Sequence, residues 1–256
     1  SDKIFITYAW TAIDGLTGGL SLTDSPPLAR QIEIAMTPEV LSEIAVQYKK
    51  GRLLYIVTTH IEAQRGVVWD IGAIAASGHP DALQLVHQIM LASSAVPGLF
   101  QPVFIDVTAG GKQYREIHVD GGVTTQVFAY PIRLHRSVVD EFRKHHIVQN
   151  LYIIRNSKIN PEYKIMNPGL FSLTVRSIET LIKQQSIGDL YRLYVSAKRD
   201  GVKYHMLSIP EDFRAESREL FDPGYMRALY DVGHSLGKTK GEVWITSPPG
   251  IDYIDK

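Results

Sequence analysis

The residues of this chain whose types and spacing best fit chemistry lie in the segment Tyr114–Gly122, YREIHVDGG. Read as a strand, the segment alternates faces, so Glu116, His118 and Asp120 share one side while Ile117 and Val119 share the other. Asp120 then takes the last strand position, and Gly121-Gly122 free the backbone to turn sharply behind it. Ligands of α/β sheets bind beyond the carboxyl ends of strands, where a carboxylate can orient a nucleophile or accept its proton. An Asp-Gly pair is also an ordinary way to begin a turn, and on this segment alone the turn is the commoner reading. His118 lies two residues before Asp120 on the same face, as a Ser–His–Asp arrangement would want. Side chains at i and i+2 of a strand nevertheless stand roughly 6.5–7 Å apart, long for a hydrogen bond between Asp and imidazole. A partly buried structural histidine is the simpler expectation.

Composition removes several other chemistries. The 256 residues include 27 Lys+Arg, 27 Asp+Glu, nine His and no cysteine. A disulfide scaffold, a thiol nucleophile, a Cys-ligated zinc and an iron–sulfur cluster are therefore excluded. Zero formal charge gives no global field to recruit nucleic acid, and no nucleic-acid partner is expected. With 45% apolar and 21% charged residues the chain has globular rather than disordered composition. No stretch approaches the ~20 apolar residues of a transmembrane helix. His145 and His146 are adjacent, about 100° apart on a helix, a poor metal pair. With no His-Glu-x-x-His, no metal is expected, nor any nucleotide cofactor. Gly233–Thr239 has one residue too few between its glycines for a phosphate loop and follows a helix, so it reads as a helix end. The basic runs Lys49–Arg52 and Arg143–His146 read as solvated faces.

The elements that must position Asp120 are legible as alternating strand and helix patterns. Leu53–Thr59 is a buried strand followed by Val67–Ile71. Pro80 opens a helix with Leu83, Val86, His87, Met90 and Leu91 on one face, ending near Ser93–Ser94. Val103–Val107 and Tyr114–Asp120 are strands separated by the turn signal Gly110-Gly111. Downstream, Ser137–His146 is a helix, Leu151–Ile154 a strand and Ser172–Arg199 one or two helices stopped by Gly201. Lys203–Ile209 is a strand and Pro223–Leu236 a last helix. Upstream, Asp24–Ile32 and Thr37–Tyr48 have helical patterns, while the glycine-rich Gly15–Leu20 has no strand leading into it. The alternation predicts α/β layering with a mostly parallel sheet flanked by helices. Without internal repeats or a linker, 1–256 reads as a single domain.

Met90–Pro102, MLASSAVPGLFQP, precedes the strand pair that ends in Asp120-Gly121-Gly122. Together these segments resemble the patatin-like phospholipase family, in its bacterial branch. Thr58-Thr59 before Gln64–Trp69, Asp70–Pro80 (DIGAIAASGHP), Tyr152–Asn156 (YIIRN), Gly188–Tyr191 (GDLY) and the Gly241–Gly250 tail are similar to the same family. The resemblance implies a patatin-like α/β hydrolase that cleaves fatty-acyl esters of lipids with a Ser–Asp dyad. Asp120 is then the dyad base, and Gly121 and Gly122 shape the site. It implies a lipid or membrane-surface substrate, engaged by apolar loops for which Leu99, Phe100 and Phe128 are candidates, although each is simply read as core.

A serine hydroxyl is a weak nucleophile until a base removes its proton during attack, and preorganised N–H donors at the oxyanion supply the largest stabilising term. In the family these come from a Gly-x-Ser-x-Gly elbow and a glycine-rich loop. Neither motif occurs here. The nearest segment, Gly19–Thr23, puts β-branched Thr23 where the elbow needs glycine, so Ser21 is a weak nucleophile candidate. Ser93 and Ser94 sit at a helix end. The resemblance thus places the start of the chain just after the elbow, with the nucleophile and any targeting signal ahead of Ser1. Two alternatives stand beside it: a non-catalytic interaction domain on a patatin scaffold, and a Ser–His–Asp esterase using His118. These 256 residues alone are expected not to turn over a p-nitrophenyl acyl ester above background. Stoichiometric labelling of Ser21 by a fluorophosphonate is the result that would relocate the nucleophile.

Overall fold

A computed structural model describes residues 26–125, 149–163, 165–166, 168–217, 222–239 and 243–249. The chain divides into two compact units, Ser1–Gln126 and Val127–Lys256. In the first, helices α1 (Pro26–Ala35) and α2 (Pro38–Lys49) precede strands β1 (Tyr55–His60) and β2 (Arg65–Asp70). Short α3 (Ile71–Ala76), α4 (Ala82–Ser93), β3 (Val103–Ala109) and β4 (Lys112–Asp120) follow, and Gly121–Val123 form one turn of 3-10 helix. Local chemistry sets the helix starts. Thr37 caps α2 through the Val40 N–H, with Pro38 in the first turn, and Asp70 caps α3 by accepting from the Ala73 N–H at 2.8 Å. Each satisfies a donor that the first turn leaves unpaired.

The four strands form one sheet in the order β2-β1-β4-β3, and every pairing in it is antiparallel. This corrects the expectation of a mostly parallel sheet. Parallel neighbours need a crossover of a dozen or more residues, whereas β1 and β2 are separated only by Ile61–Gln64, and β3 and β4 only by Gly110-Gly111. Those two glycines have φ of +56° and +76°, the left-handed geometry of the tight turn whose twist matches the strands it joins. α/β content is retained, but this unit is built from hairpins.

Helices pack on one face of the sheet. Ile71, Val86, Ile89 and Ile105 are buried together, with Leu41, Ile44, Ile56, Trp69, Val103 and Val107 packed around them. α2 lies directly on α3 at Gly72: a Cβ there would stand 2.3 Å from the Tyr48 ring, so only a bare backbone admits Tyr48.

In the second unit β5 (Asn150–Arg155) pairs in parallel with β6 (Lys203–Ser208), and the 31-residue helix α5 (Leu170–Asp200) makes the crossover. Gly201, at φ +75°, ends α5. Ile153, Tyr204 and Met206 bury one face of the strands against Leu190, Leu193 and Ala197 of α5. Ile245 adds an antiparallel bridge to Met206. A final helix, α6 (Pro223–Lys238), is capped by Asp222, which accepts from the N–H groups of Gly224 and Tyr225. The predicted helix Ser137–His146 lies outside the described residues.

Ile89 is fully buried between α4 and the sheet, so Ile89→Ala is expected to remove roughly 2–5 kcal/mol of stability. Urea denaturation of the full chain, followed by tryptophan fluorescence, measures this.

Candidate catalytic aspartate and its surroundings

Asp120 is the last residue of β4, and two main-chain contacts fix it. Its N–H donates to the Ala95 carbonyl at 3.0 Å, joining the end of β4 to the turn that follows α4. Its Oδ1 accepts from the Gly122 N–H at 2.6 Å. This second bond defines the turn: the carboxylate caps the 3-10 segment that starts at Gly121. The side chain is half-buried, and desolvation raises the carboxyl above its ordinary value, partly offset by the Gly122 hydrogen bond. Low dielectric disfavours the anion, while a donor aimed at it favours it. A carboxyl whose pKa is moved up by burial at a strand's carboxyl end is a candidate proton acceptor.

Gly121 is dictated by a neighbour. A Cβ on it would lie 2.4 Å from the Val57 carbonyl oxygen of β1, and a backbone atom in a central strand cannot give way. The Gly121 carbonyl is in turn the hub of the turn. It accepts from the Thr124 and Thr125 N–H groups, from the Thr124 hydroxyl at 3.3 Å and from the Thr59 hydroxyl at 3.5 Å. Thr59 and Thr124 also contact each other at 3.0 Å. Thr59 is 1% exposed, so this clasp is internal.

His118 is fully buried and does not serve Asp120. Its Nε2 donates to Glu116 Oε2 at 3.0 Å, since a carboxylate oxygen can only accept. Its Nδ1 is then the acceptor, receiving the Thr58 hydroxyl proton at 2.9 Å. The Thr58 oxygen in turn accepts from Trp69 Nε1–H at 2.8 Å. One chain of donors thus runs Trp69, Thr58, His118, Glu116. Burial lowers the pKa of the imidazole, against the opposing pull of Glu116, so the ring is held neutral in one tautomer. The alternative of a Ser–His–Asp arrangement through His118 is not formed here. Both ring nitrogens are engaged elsewhere; strand spacing alone does not exclude such a bond, since Glu116 and His118 span the same i, i+2 separation at 3.0 Å.

Ser93 and Ser94 both donate their hydroxyls to the Met90 carbonyl, at 2.8 and 3.1 Å, which caps the end of α4 and occupies the proton a base would have to take. Leu99 and Phe100 are half-buried in the turn after α4, where both N–H groups reach the Val96 carbonyl. Ser21 and Phe128 lie outside the described residues. Ala95, Thr58, Thr59, Trp69 and Thr124 carry the site's hydrogen bonds. Thr58, Thr59, Trp69 and Ala95 lie in segments that the sequence singles out, but not as partners of this site, and Thr124 carries no signal in the sequence.

Among the described residues no group of three or more His, Asp or Glu side chains has the arrangement to hold a metal ion. None of their helices is long and apolar enough to cross a membrane. No family model matches the chain, and no curated protein matches it either.

The raised pKa of Asp120 has a consequence for stability. Between 3.8, its ordinary value, and its raised one, the folded chain holds more proton on this carboxyl than the unfolded chain does. Its contribution to stability is therefore most favourable at acid pH and declines as pH rises through the raised value. His118 has the opposite sign: its lowered value makes the folded state poorer in protons, so stability is lost as pH falls below 6.5. Asp120→Asn keeps the acceptor for Gly122 and removes the charge. It is expected to melt a few degrees above wild type at neutral pH and level with it at about pH 3. Calorimetry across that range checks this.

Proposed function

We propose that the chain is the aspartate-bearing part of a lipid acyl hydrolase of the patatin-like kind, with Asp120 as the base for a serine hydroxyl on a Gly-x-Ser-x-Gly elbow that these 256 residues do not contain. The single observation that carries this reading is the hydrogen bond from the Asp120 N–H to the Ala95 carbonyl. Met90–Pro102 and Tyr114–Gly122, the two segments on which the resemblance chiefly rests, are tied together at the residue given the catalytic role. The state of the carboxyl supports the same role. It is half-buried, raised by desolvation, and oriented by one backbone donor that leaves its other oxygen for a substrate-side proton. The fold implied is a patatin-like α/β hydrolase, with β5–α5–β6 supplying a parallel crossover.

The mechanism follows from those groups. As the serine oxygen attacks the acyl carbonyl, its proton passes to Asp120. A carboxyl with a raised value is the better match to that hydroxyl and later returns the proton to the leaving alkoxide. The Gly121 turn, with no Cβ to strike the Val57 carbonyl, keeps the carboxylate at the strand end. The substrate class is the fatty-acyl ester of a lipid at a membrane surface, with no cofactor in the chemistry.

The test uses a protein in which such an elbow precedes residue 1 of this sequence. Asp120→Asn is expected to lower kcat on a p-nitrophenyl acyl ester by on the order of 10²–10⁴, with KM little changed. His118→Ala, measured on the folded fraction, is expected to keep most of kcat. Full activity in Asp120→Asn, or its loss in His118→Ala alone, sinks the dyad.

A further inference from the structure

We propose that Arg155 and Ser186, at the carboxyl end of the parallel β5–β6 pair, form a binding site for a phosphate oxyanion. Three buried side-chain polar atoms lack a hydrogen-bond partner among the described residues, and two of them are Arg155 Nη1 and Ser186 Oγ. Such orphans are rare in folded proteins and mark places where a further group completes the set.

The topology places the two at one level of the unit. Gly201 and Val202 lead from the end of α5 straight into β6, so the helix's carboxyl end lies at the strands' amino ends and its earlier turns lie toward their carboxyl ends. Leu190 and Ile153 pack in one cluster. Ser186 is one helical turn beyond Leu190, a rise of about 6 Å, and Arg155 is two residues beyond Ile153 on the same face, about 6.6 Å. They therefore reach the same level of one interface. A contact at this level agrees: Lys183, on the turn before Ser186, donates to the carbonyl of Asn160, in the loop that follows Arg155.

The charge is equally specific. Arg155 Nε donates to Ser157 Oγ at 2.6 Å, and no carboxylate lies within ion-pair distance of the guanidinium among the described residues. The neighbouring carboxylates are committed. Glu162 faces Lys158 at 3.6 Å and Lys183 at 3.7 Å, Asp189 faces Arg192 at 2.5 Å, and Glu211 accepts from the Asn160 N–H. Lys158 and Lys183 are engaged with Glu162 and with the carbonyls of Phe213 and Asn160, so neither brings a carboxylate to Arg155. Burial lowers the guanidinium's pKa from its ordinary value, as expected of a desolvated cation with no counter-charge. A planar fork with an unpartnered donor and a hydroxyl at the same level match the tetrahedral, doubly accepting oxygens of a phosphate. The place fits too, since ligands of parallel α/β units gather beyond the strands' carboxyl ends. The site does not depend on the role of Asp120. Its phosphate is either a free phosphomonoester or the headgroup of a lipid.

Titration of the full chain with inorganic phosphate at constant ionic strength, followed through the Arg155 Nε–Hε NMR resonance and by calorimetry, separates the outcomes. Saturable binding is expected, weakened at least about tenfold in both Arg155→Gln and Ser186→Ala, with chloride producing no matching shift. If inorganic phosphate does not bind but phosphatidylcholine vesicles containing phosphatidic acid do, with the same loss in both variants, the phosphate is a lipid headgroup. Failure of both probes, or binding unchanged in Ser186→Ala and without a shift at Arg155, overturns the site. Ser186→Ala and the wild-type resonance decide the matter even if Arg155→Gln does not fold.

Discussion

The register of β4 against β1 is the constraint on which the first unit depends. Thr58 faces Asp120, Thr59 faces Val119 and His60 faces His118. A slip of one residue would turn every side chain of β4 to the opposite face, taking His118 out of reach of Thr58 and moving Asp120 away from the Ala95 carbonyl. The Gly121 backbone also fits against the Val57 carbonyl only in this register. A two-residue turn on one side of β4 and a steric match on the other leave the strand one way to lie.

Polar groups within the sheet's core reinforce the same alignment. Trp69, Thr58, His118 and Glu116 come from three strands and satisfy one another in a directed chain, which removes most of the penalty for burying an imidazole. His60 stacks on His118 at 5.3 Å, with its Nδ1 3.7 Å from the same Glu116 oxygen. Holding His118 neutral beside Asp120 also keeps a positive charge away from that carboxyl. An imidazolium there would pull its pKa down and oppose the desolvation that raises it.

The second unit solves a different problem. Its strands are parallel, so their connection has to be a long helix, and the side facing α5 is apolar from Leu151 to Ile153 on β5 before it ends in a charge. The switch from isoleucine to arginine along one face of β5 marks where the core stops and polar chemistry begins.

Much of this was legible in the sequence because it depends on neighbours in the chain. Helix α4, the Gly110-Gly111 turn, the stop at Gly201 and the shared face of Glu116, His118 and Asp120 follow from periodicity and glycine placement alone. Strand direction was not legible. Short buried strands have the same apolar pattern whichever way they run, and hairpin pairing emerged only from the lengths of the connections. The hydrogen-bonding roles of Ala95, Thr59 and Thr124 were silent for the same reason: a carbonyl or a hydroxyl has no motif, and its partner is chosen by which strands lie side by side. The sequence by itself determined that an aspartate ends a strand before two glycines. Only the tertiary structure decided what buries that carboxyl and holds its backbone, and why the first glycine admits no side chain. Desolvation and close approach arise between segments far apart in the chain.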